Sequence, residues 1–114
     1  MSLLKELNSL LEPIGIPIET GAFSRKPSDE YVVITPMSDR LEFYADNQAH
    51  SVIAEARLSL FSKENYLALK KQLTNILLAA EIIITDQQYI GFENDTKYHH
   101  YAIDVMKEYE MEGI

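Results

Sequence analysis

The chain contains no cysteine, which excludes disulfide bonds, thiolate metal sites and cysteine nucleophiles together. Its four glycines are too few for a dinucleotide-binding loop of the usual kind, and no GxSxG, HExxH, phosphate-loop or EF-hand motif is present. No apolar run approaches the roughly 18 residues of a membrane-spanning helix. The first residues include Lys5 and Glu6 and lack the apolar core of a signal peptide, so we expect no export. We expect no cofactor, no membrane partner and no enzymatic activity.

Basic residues are also scarce, because ten Lys and Arg face eighteen Asp and Glu and give a net charge of −8. Non-specific binding to nucleic acid requires cations that displace counterions from phosphates. A DNA-binding function is therefore disfavoured. A protein along which DNA passes without being bound is compatible with this charge.

The composition predicts one folded domain, residues 1–114. The chain is of single-domain length, 46% of its residues are hydrophobic, and its charges are dispersed rather than clustered. A chain of this size buries roughly two-thirds of its unfolded surface, which is enough for one core without disulfides or metals.

The most informative stretch is residues 52–80, where the hydrophobic period changes. Apolar and polar residues alternate up to Phe61, which predicts a strand with one apolar face. Ser62 is the expected N-cap of a following helix, with Glu64 in its first turn. The helical stripe consists of Tyr66, Leu69, Leu73, Ile76, Leu77 and Ala80.

The remaining elements follow from shorter patterns. Leucines at helical spacing predict a helix over residues 3–11 that is capped by Ser2 and ended by Pro13 and Gly15. Strands are predicted at 31–36, 41–45, 81–85 and 97–109, with an edge strand near Ile16 and polar loops at 20–30 and 86–96. The order α-β-β-β-α-β-β, starting as an antiparallel meander, predicts an α+β fold with helices packed on a mostly antiparallel sheet.

The histidines do not form a convincing metal site. His99 and His100 are neighbours on a predicted strand and point to opposite faces, while His50 is remote in sequence. The carboxylates, such as Glu93 and Asp95 in a loop, are not placed as a catalytic pair. A metal-dependent enzyme that uses His50, His99 or His100 is the third hypothesis, which metal analysis of the purified protein would test.

The aromatic residues give a stronger indication of function than the histidines and carboxylates do. Seven tyrosines and four phenylalanines include several near predicted loops, namely Phe23, Phe43, Tyr44, Tyr89, Phe92 and Tyr98. Aromatic side chains are enriched where proteins contact proteins. As a set they favour an assembly protein over a catalyst.

Four segments in order resemble the tail completion proteins of siphophages and Gram-positive prophages, which are also called tail-to-head joining or tail terminator proteins. They are the strand YVVITP at 31–36, the turn YADN at 44–47, the strand-to-helix junction RLSLFSK at 57–63 with Tyr66 and the helix after it, and FENDTK at 92–97 followed by YHH and an alternating strand. Together these segments span about residues 1–109.

The resemblance implies a structural role in the virion. Such proteins form a hexameric ring on the end of the tail tube, stop its growth and present a surface to the head-completion or connector protein. DNA crosses the lumen without specific binding, which suits an acidic chain. The implied location is the host bacterial cytoplasm during assembly and then the virion tail.

We expect the ring to close through heterologous contacts, in which one patch of each subunit meets a different patch of the next. The candidate segments are the loops 20–30 and 86–96 and the turn 44–47, which we expect to become ordered on assembly. The candidate interface residues are Phe23, Arg25, Tyr44, Asp46, Asn47, Tyr89, Phe92 and Asp95. The alternative hypothesis is a small cytosolic protein-binding module with no catalytic activity.

Overall fold

A computed structural model describes residues 2–21, 28–43 and 48–110 of the chain. Its elements are α1 (Leu3–Leu11), a 3₁₀ turn (Glu12–Ile14), β1 (Ile18–Thr20), β2 (Glu30–Phe43), β3 (Ala49–Ser62), α2 (Tyr66–Ala79), β4 (Ile83–Phe92) and β5 (His99–Glu110). Within these residues, no helix has the length and apolar character needed to cross a membrane.

The described strands form one five-stranded sheet in the order β1-β2-β3-β5-β4. Only β1 and β2 are parallel, and the other three pairings are antiparallel. Both described α-helices pack on one face of this sheet. The predicted α+β class is therefore confirmed, and the observed order of elements roughly matches the predicted one.

The core lies between that face and the two helices. The alternation predicted for β3 is observed, because Ala54, Ala56, Leu58 and Leu60 are all buried beneath the helices. α1 contributes Leu3, Leu7 and Leu11, and α2 contributes Leu69, Leu73 and Leu77. We call this side of the sheet the helix face and the other side the open face, since no described helix covers it.

The bounds of α2 differ from the prediction at its start. Asn65, not Ser62, is the N-cap, and its Oδ1 accepts a hydrogen bond from the Ala68 N–H at 3.2 Å. Ser62 instead ends β3, where its buried hydroxyl donates to Glu30 Oε2 and accepts from the Glu64 N–H. Glu64 therefore precedes the helix rather than lying in its first turn.

Helix α2 is closely followed by a residue whose backbone lies in the left-handed region. Glu81 has a φ of 61°, and the Ile82 N–H bonds back to the Leu77 carbonyl at 3.0 Å while the Glu81 N–H bonds to Leu78. This pattern satisfies carbonyls that the helix would otherwise leave unpaired. The strand predicted at 81–85 consequently starts only at Ile83.

The predicted three-stranded meander was wrong, whereas the predicted edge strand is confirmed close to its expected place. The strands predicted at 31–36 and 41–45 are parts of one strand, β2, which continues past Pro36 with a register irregularity. Proline is tolerated there because it lies at an irregularity. The edge strand predicted near Ile16 is β1, two residues further on, and it lies parallel to β2. The start is therefore one long hairpin rather than a three-stranded meander.

The polar loop predicted at 86–96 is mostly strand β4, which extends to Phe92. Asp86, Gln87 and Gln88 are exposed on this outermost strand, so the polar residues reflect its position at the sheet edge rather than a loop.

An ionic contact ties α1 to the end of β5. Glu6 accepts hydrogen bonds from Lys107 Nζ and from the Tyr109 hydroxyl, both at 2.7 Å. Burial alone raises the pKa of Glu6, but these hydrogen bonds and the Lys107 charge outweigh it, so the pKa lies below its ordinary value of 4.5. Burial and the Glu6 carboxylate raise the pKa of Tyr109.

We predict that Leu73→Ala lowers the free energy of unfolding by about 2–5 kcal/mol, because it leaves a cavity in the core. Leu78→Ala on the same helix is the matched control, since Leu78 is 58% exposed and its truncation removes little buried surface. Urea unfolding measures both. Equal losses in the two variants would contradict the packing described for α2.

We predict that Glu6→Gln destabilises the protein by about 1–3 kcal/mol at neutral pH, because Lys107 and Tyr109 lose a charged partner. The folded-state pKa of Glu6 is lowered, so its stabilisation is present above pH 4.5 and is lost as the pH falls through the folded pKa. The difference between the native protein and E6Q should therefore shrink in acid, as measured by denaturant unfolding. A difference that stays constant down to pH 3 would contradict this.

Candidate interaction surface

The adjacent histidines lie on opposite faces of the sheet, as predicted. The ring of His100 stacks on Phe61 on the open face, with centroids 4.3 Å apart. His99 contacts Tyr66 and Phe92 on the helix face. The described residues contain no group of three or more His, Asp or Glu that could hold a metal ion.

A surface groove of about 500 Å³ runs between α1 and β1. Glu12 is the single ionisable side chain among the residues that line it. The groove thus offers one carboxylate rather than the pair that general acid–base catalysis uses.

Five of the candidate interface residues, Phe23, Arg25, Tyr44, Asp46 and Asn47, lie outside the described residues. Asp95 lies in the turn between β4 and β5, where its side chain accepts a hydrogen bond from the Thr96 N–H. Tyr89 and Phe92 lie on strand β4, so their predicted position in a loop was wrong.

The structure brings Tyr89 and Phe92 together around His99. The Tyr89 hydroxyl lies 3.0 Å from His99 Nδ1, and the Phe92 ring centroid lies 4.8 Å from that of His99. Tyr66 at the start of α2 contacts both Tyr89 and His99. Tyr89 and Phe92 are each 43% exposed, so a half-exposed aromatic cluster borders the edge of the sheet.

Further exposed apolar residues lie along β4, and others lie on β2 at the opposite edge of the sheet. On β4 they include Ile83 and Ile90, and on the far part of β2 they are Met37, Leu41 and Phe43. All five are between 44% and 56% exposed. Apolar side chains concentrated on two separate strands, rather than scattered singly, indicate contact surfaces.

Both strands also have unpaired outer edges within the described structure. β4 pairs only with β5. β1 pairs with β2 only at Val32, Val33 and Ile34, so β2 has no described partner on its outer side from residue 37 to Phe43. Among the residues that the structure describes, the sheet therefore has two outer edges without a strand partner, and these edges differ in sequence.

The open face is acidic. Register pairing places two basic strand residues on it, Arg40 and Arg57, and seven acidic ones: Glu19, Glu42, Glu55, Asp86, Asp104, Glu108 and Glu110. These residues come from all five strands. The sequence patterns did not reveal this surface, because its acids are separated by many residues along the chain.

Several contacts on the open face offset part of this negative charge, among them those of Arg40 with Glu42 and Glu55. Arg57 forms a two-point ion pair with Asp104 across β3 and β5, at 2.7 and 3.1 Å. The hydrogen bonds and charge of Asp104 raise the pKa of Arg57. Ser51 donates a hydrogen bond to Glu108. The arrangement leaves the face negative overall.

An aromatic ladder crosses one end of the open face. Tyr31, Phe61 and His100 stack in sequence across β2, β3 and β5, and Tyr98 meets Phe61 edge-on. Burial lowers the pKa of His100, Arg57 lowers it further, and Glu93 opposes the shift. Its Nε2 is buried and has no partner among the described residues.

We predict that His100→Phe flattens the dependence of stability on pH, because phenylalanine keeps the stack but cannot take up a proton. The lowered folded-state pKa means that stabilisation is present above the unfolded value of 6.5 and is lost as the pH falls through the folded pKa. Thermal unfolding between pH 7.5 and 5 measures this. His100→Gln should show an equally weak dependence of stability on pH but a lower stability at every pH, because it loses the ring stack. If both variants kept the pH dependence of the native protein, His100 would not be its source.

Comparison of the chain with protein-family models finds no match, and a search of curated proteins finds none either. What can be said of function therefore depends on the surfaces themselves: two free sheet edges bearing apolar side chains, and an acidic face between them.

Proposed function

We propose that this protein is a structural component of a tailed phage or prophage that closes the end of the tail tube and joins the tail to the head connector. It acts as a hexameric ring and not as an enzyme. One observation carries the proposal: β4 and the part of β2 from residue 37 to Phe43 each lack a described strand partner on their outer side, differ in sequence and lie on opposite sides of the sheet.

Two different patches on opposite sides favour head-to-tail contacts between copies. A contact of this kind produces a closed ring when the rotation between copies closes, and a filament when it does not. A two-fold dimer would instead use the same patch on both subunits. The edges of β2 and β4 thus supply what a ring-forming subunit requires.

The charge of the open face supports passage of DNA. Seven acids against two arginines repel a polyanion, so a DNA duplex would move along such a surface without being held. The partners of the ring are then the tail tube protein on one side and the head-completion protein on the other. Assembly takes place in the bacterial host cytoplasm, and the protein ends in the virion tail.

A protein-binding module without catalytic activity is the second candidate, and the outer side of α2 favours it. Leu67 and Leu78 are exposed there at 57% and 58%, with Lys71 between them. α2 contains two lysines and no acidic residue. This stripe would suit an acidic partner that docks on the helix.

The test uses tail tubes from a host that produces the whole particle but lacks this chain. We expect electron microscopy to show six-fold density at the tube end once the purified protein is added, and joining of tails to heads to be restored. The double variant Leu67→Ser/Leu78→Ser should cap the tubes as well as the native protein does, because it leaves both sheet edges unchanged.

Complete infectious particles in the absence of the chain would contradict the proposal. If the native protein capped the tubes and the Leu67→Ser/Leu78→Ser variant did not, the result would instead favour the protein-binding module.

A further inference from the structure

We propose that His100 and Glu93 form a proton-operated switch in the turn between β4 and β5, residues 93–97. When His100 takes up a proton, the Glu93 carboxylate leaves the Thr96 hydroxyl and accepts a hydrogen bond from His100 Nε2, which changes the conformation of the turn. The switch is independent of the proposed function, because it uses only contacts within one copy.

His100 has a buried ring nitrogen that needs an acceptor once the ring is protonated. One face of the ring stacks on Phe61, with the centroids 4.3 Å apart and the planes at 22°. Nε2 is buried and has no hydrogen-bond partner among the described residues. Protonation makes both ring nitrogens donors, and a buried charged donor without a partner is strongly unfavourable. Uptake of a proton therefore requires an acceptor that reaches Nε2.

Glu93 is placed to reach this nitrogen. His100 pairs with Gly91 across β4 and β5, and Gly91 has no side chain to stand between the two strands on the open face. Glu93 follows two residues later on the same face, and its N–H donates to the Tyr98 carbonyl at 2.8 Å. Diagonal cross-strand neighbours of this kind are about 7–8 Å apart, which is within reach of a long side chain.

The electrostatic influence of Glu93 agrees with this position. Burial raises the pKa of Tyr31 and of Tyr98, and the Glu93 carboxylate raises the pKa of both further. Burial lowers the pKa of His100, and the same carboxylate opposes that shift. One carboxylate therefore acts on three rings of the aromatic ladder.

The other charged groups around His100 are cations or have partners elsewhere. Arg57 on β3 is a cation, and Asp104 on β5 forms the two-point ion pair with it. Asp86 on β4 is opposite Asp104, four residues along β5 from His100. Both described α-helices pack on the other face of the sheet.

The tyrosines of the ladder and the charges near them are also unsuited to accept from Nε2. The Tyr98 hydroxyl donates to the Ser28 carbonyl, and the Phe61 ring separates Tyr31 from His100. Asp29 acts on Tyr98, and Lys63 lies over the Tyr98 ring. Glu93 is therefore the acceptor that we assign.

The turn holds the Glu93 carboxylate through one described hydrogen bond, from Thr96 Oγ1 to Oε1 at 2.6 Å. The Lys97 N–H bonds to the Glu93 carbonyl at 2.7 Å, and Lys97 has a φ of 68°, which residues other than glycine adopt rarely. A turn held in this conformation by few contacts responds to the loss of one of them. Asp95 lies in the turn and Phe92 directly before it, so the position of two candidate interface residues depends on pH.

Nuclear magnetic resonance of the full chain between pH 8 and 5 tests the switch. The carboxyl carbon of Glu93 and the amides of Thr96 and Lys97 should shift with the same midpoint as the His100 ring. That midpoint lies below 6.5, because the pKa of His100 is lowered. In His100→Phe, the signals from the turn should lose this transition.

Two further variants should move the His100 midpoint in opposite directions. Thr96→Val removes the hydroxyl that competes for Glu93, so the midpoint should rise. Glu93→Gln removes the charge that favours the imidazolium, so the midpoint should fall. Glu12→Gln removes an equal charge from the turn after α1 and should leave the midpoint unchanged. Thermal unfolding at pH 7.5 checks that each variant is folded before it is titrated.

Two results would overturn the switch. If His100 titrated while the signals of Thr96 and Lys97 stayed constant, the proton would be accommodated without any change in the turn. If Thr96→Val and Glu93→Gln both kept the native midpoint, Glu93 would not be the acceptor.

Discussion

The alternation of side chains along β3 is the constraint on which the rest of this structure depends. Its two neighbours, β2 and β5, take their register from it over almost their whole length. Ala54, Ala56, Leu58 and Leu60 bring both helices onto one face, and Glu55 and Arg57 keep the other face polar. A slip of one residue would turn Leu58 and Leu60 to solvent, so the buried face fixes the register of the sheet.

Elements that bury one face could be predicted from the sequence, whereas elements that bury neither face could not. β3 and the stripe of α2 show clear periods, because their apolar residues meet a core. β4 could not be recognised beyond Thr85, because it lies at the edge and its side chains are nearly all exposed. β2 was split in two because Pro36 is a local stop signal, whereas the strand continues through it on pairing with β3.

The candidate surface was only partly predictable for a similar reason. Tyr89 and Phe92 could be singled out as aromatic residues without a core pattern, but their meeting at His99 required the pairing of β4 with β5. The acidic face could not be read from any one segment. Glu19, Asp86 and Glu108 are far apart in the chain, and strand register alone places them on one surface.

The concentration of acids on one face is costly for an isolated sheet, because like charges repel across neighbouring strands. Asp86 and Asp104 are directly paired residues of β4 and β5, and Arg57 bonds to Asp104 next to them. This guanidinium offsets the repulsion between two carboxylates that face each other across neighbouring strands. Arg40, the other arginine of the open face, lies 3.6 Å from Glu55 and 4.0 Å from Glu42. With two arginines against seven acidic residues on its strands, the open face stays negative overall despite these ion pairs.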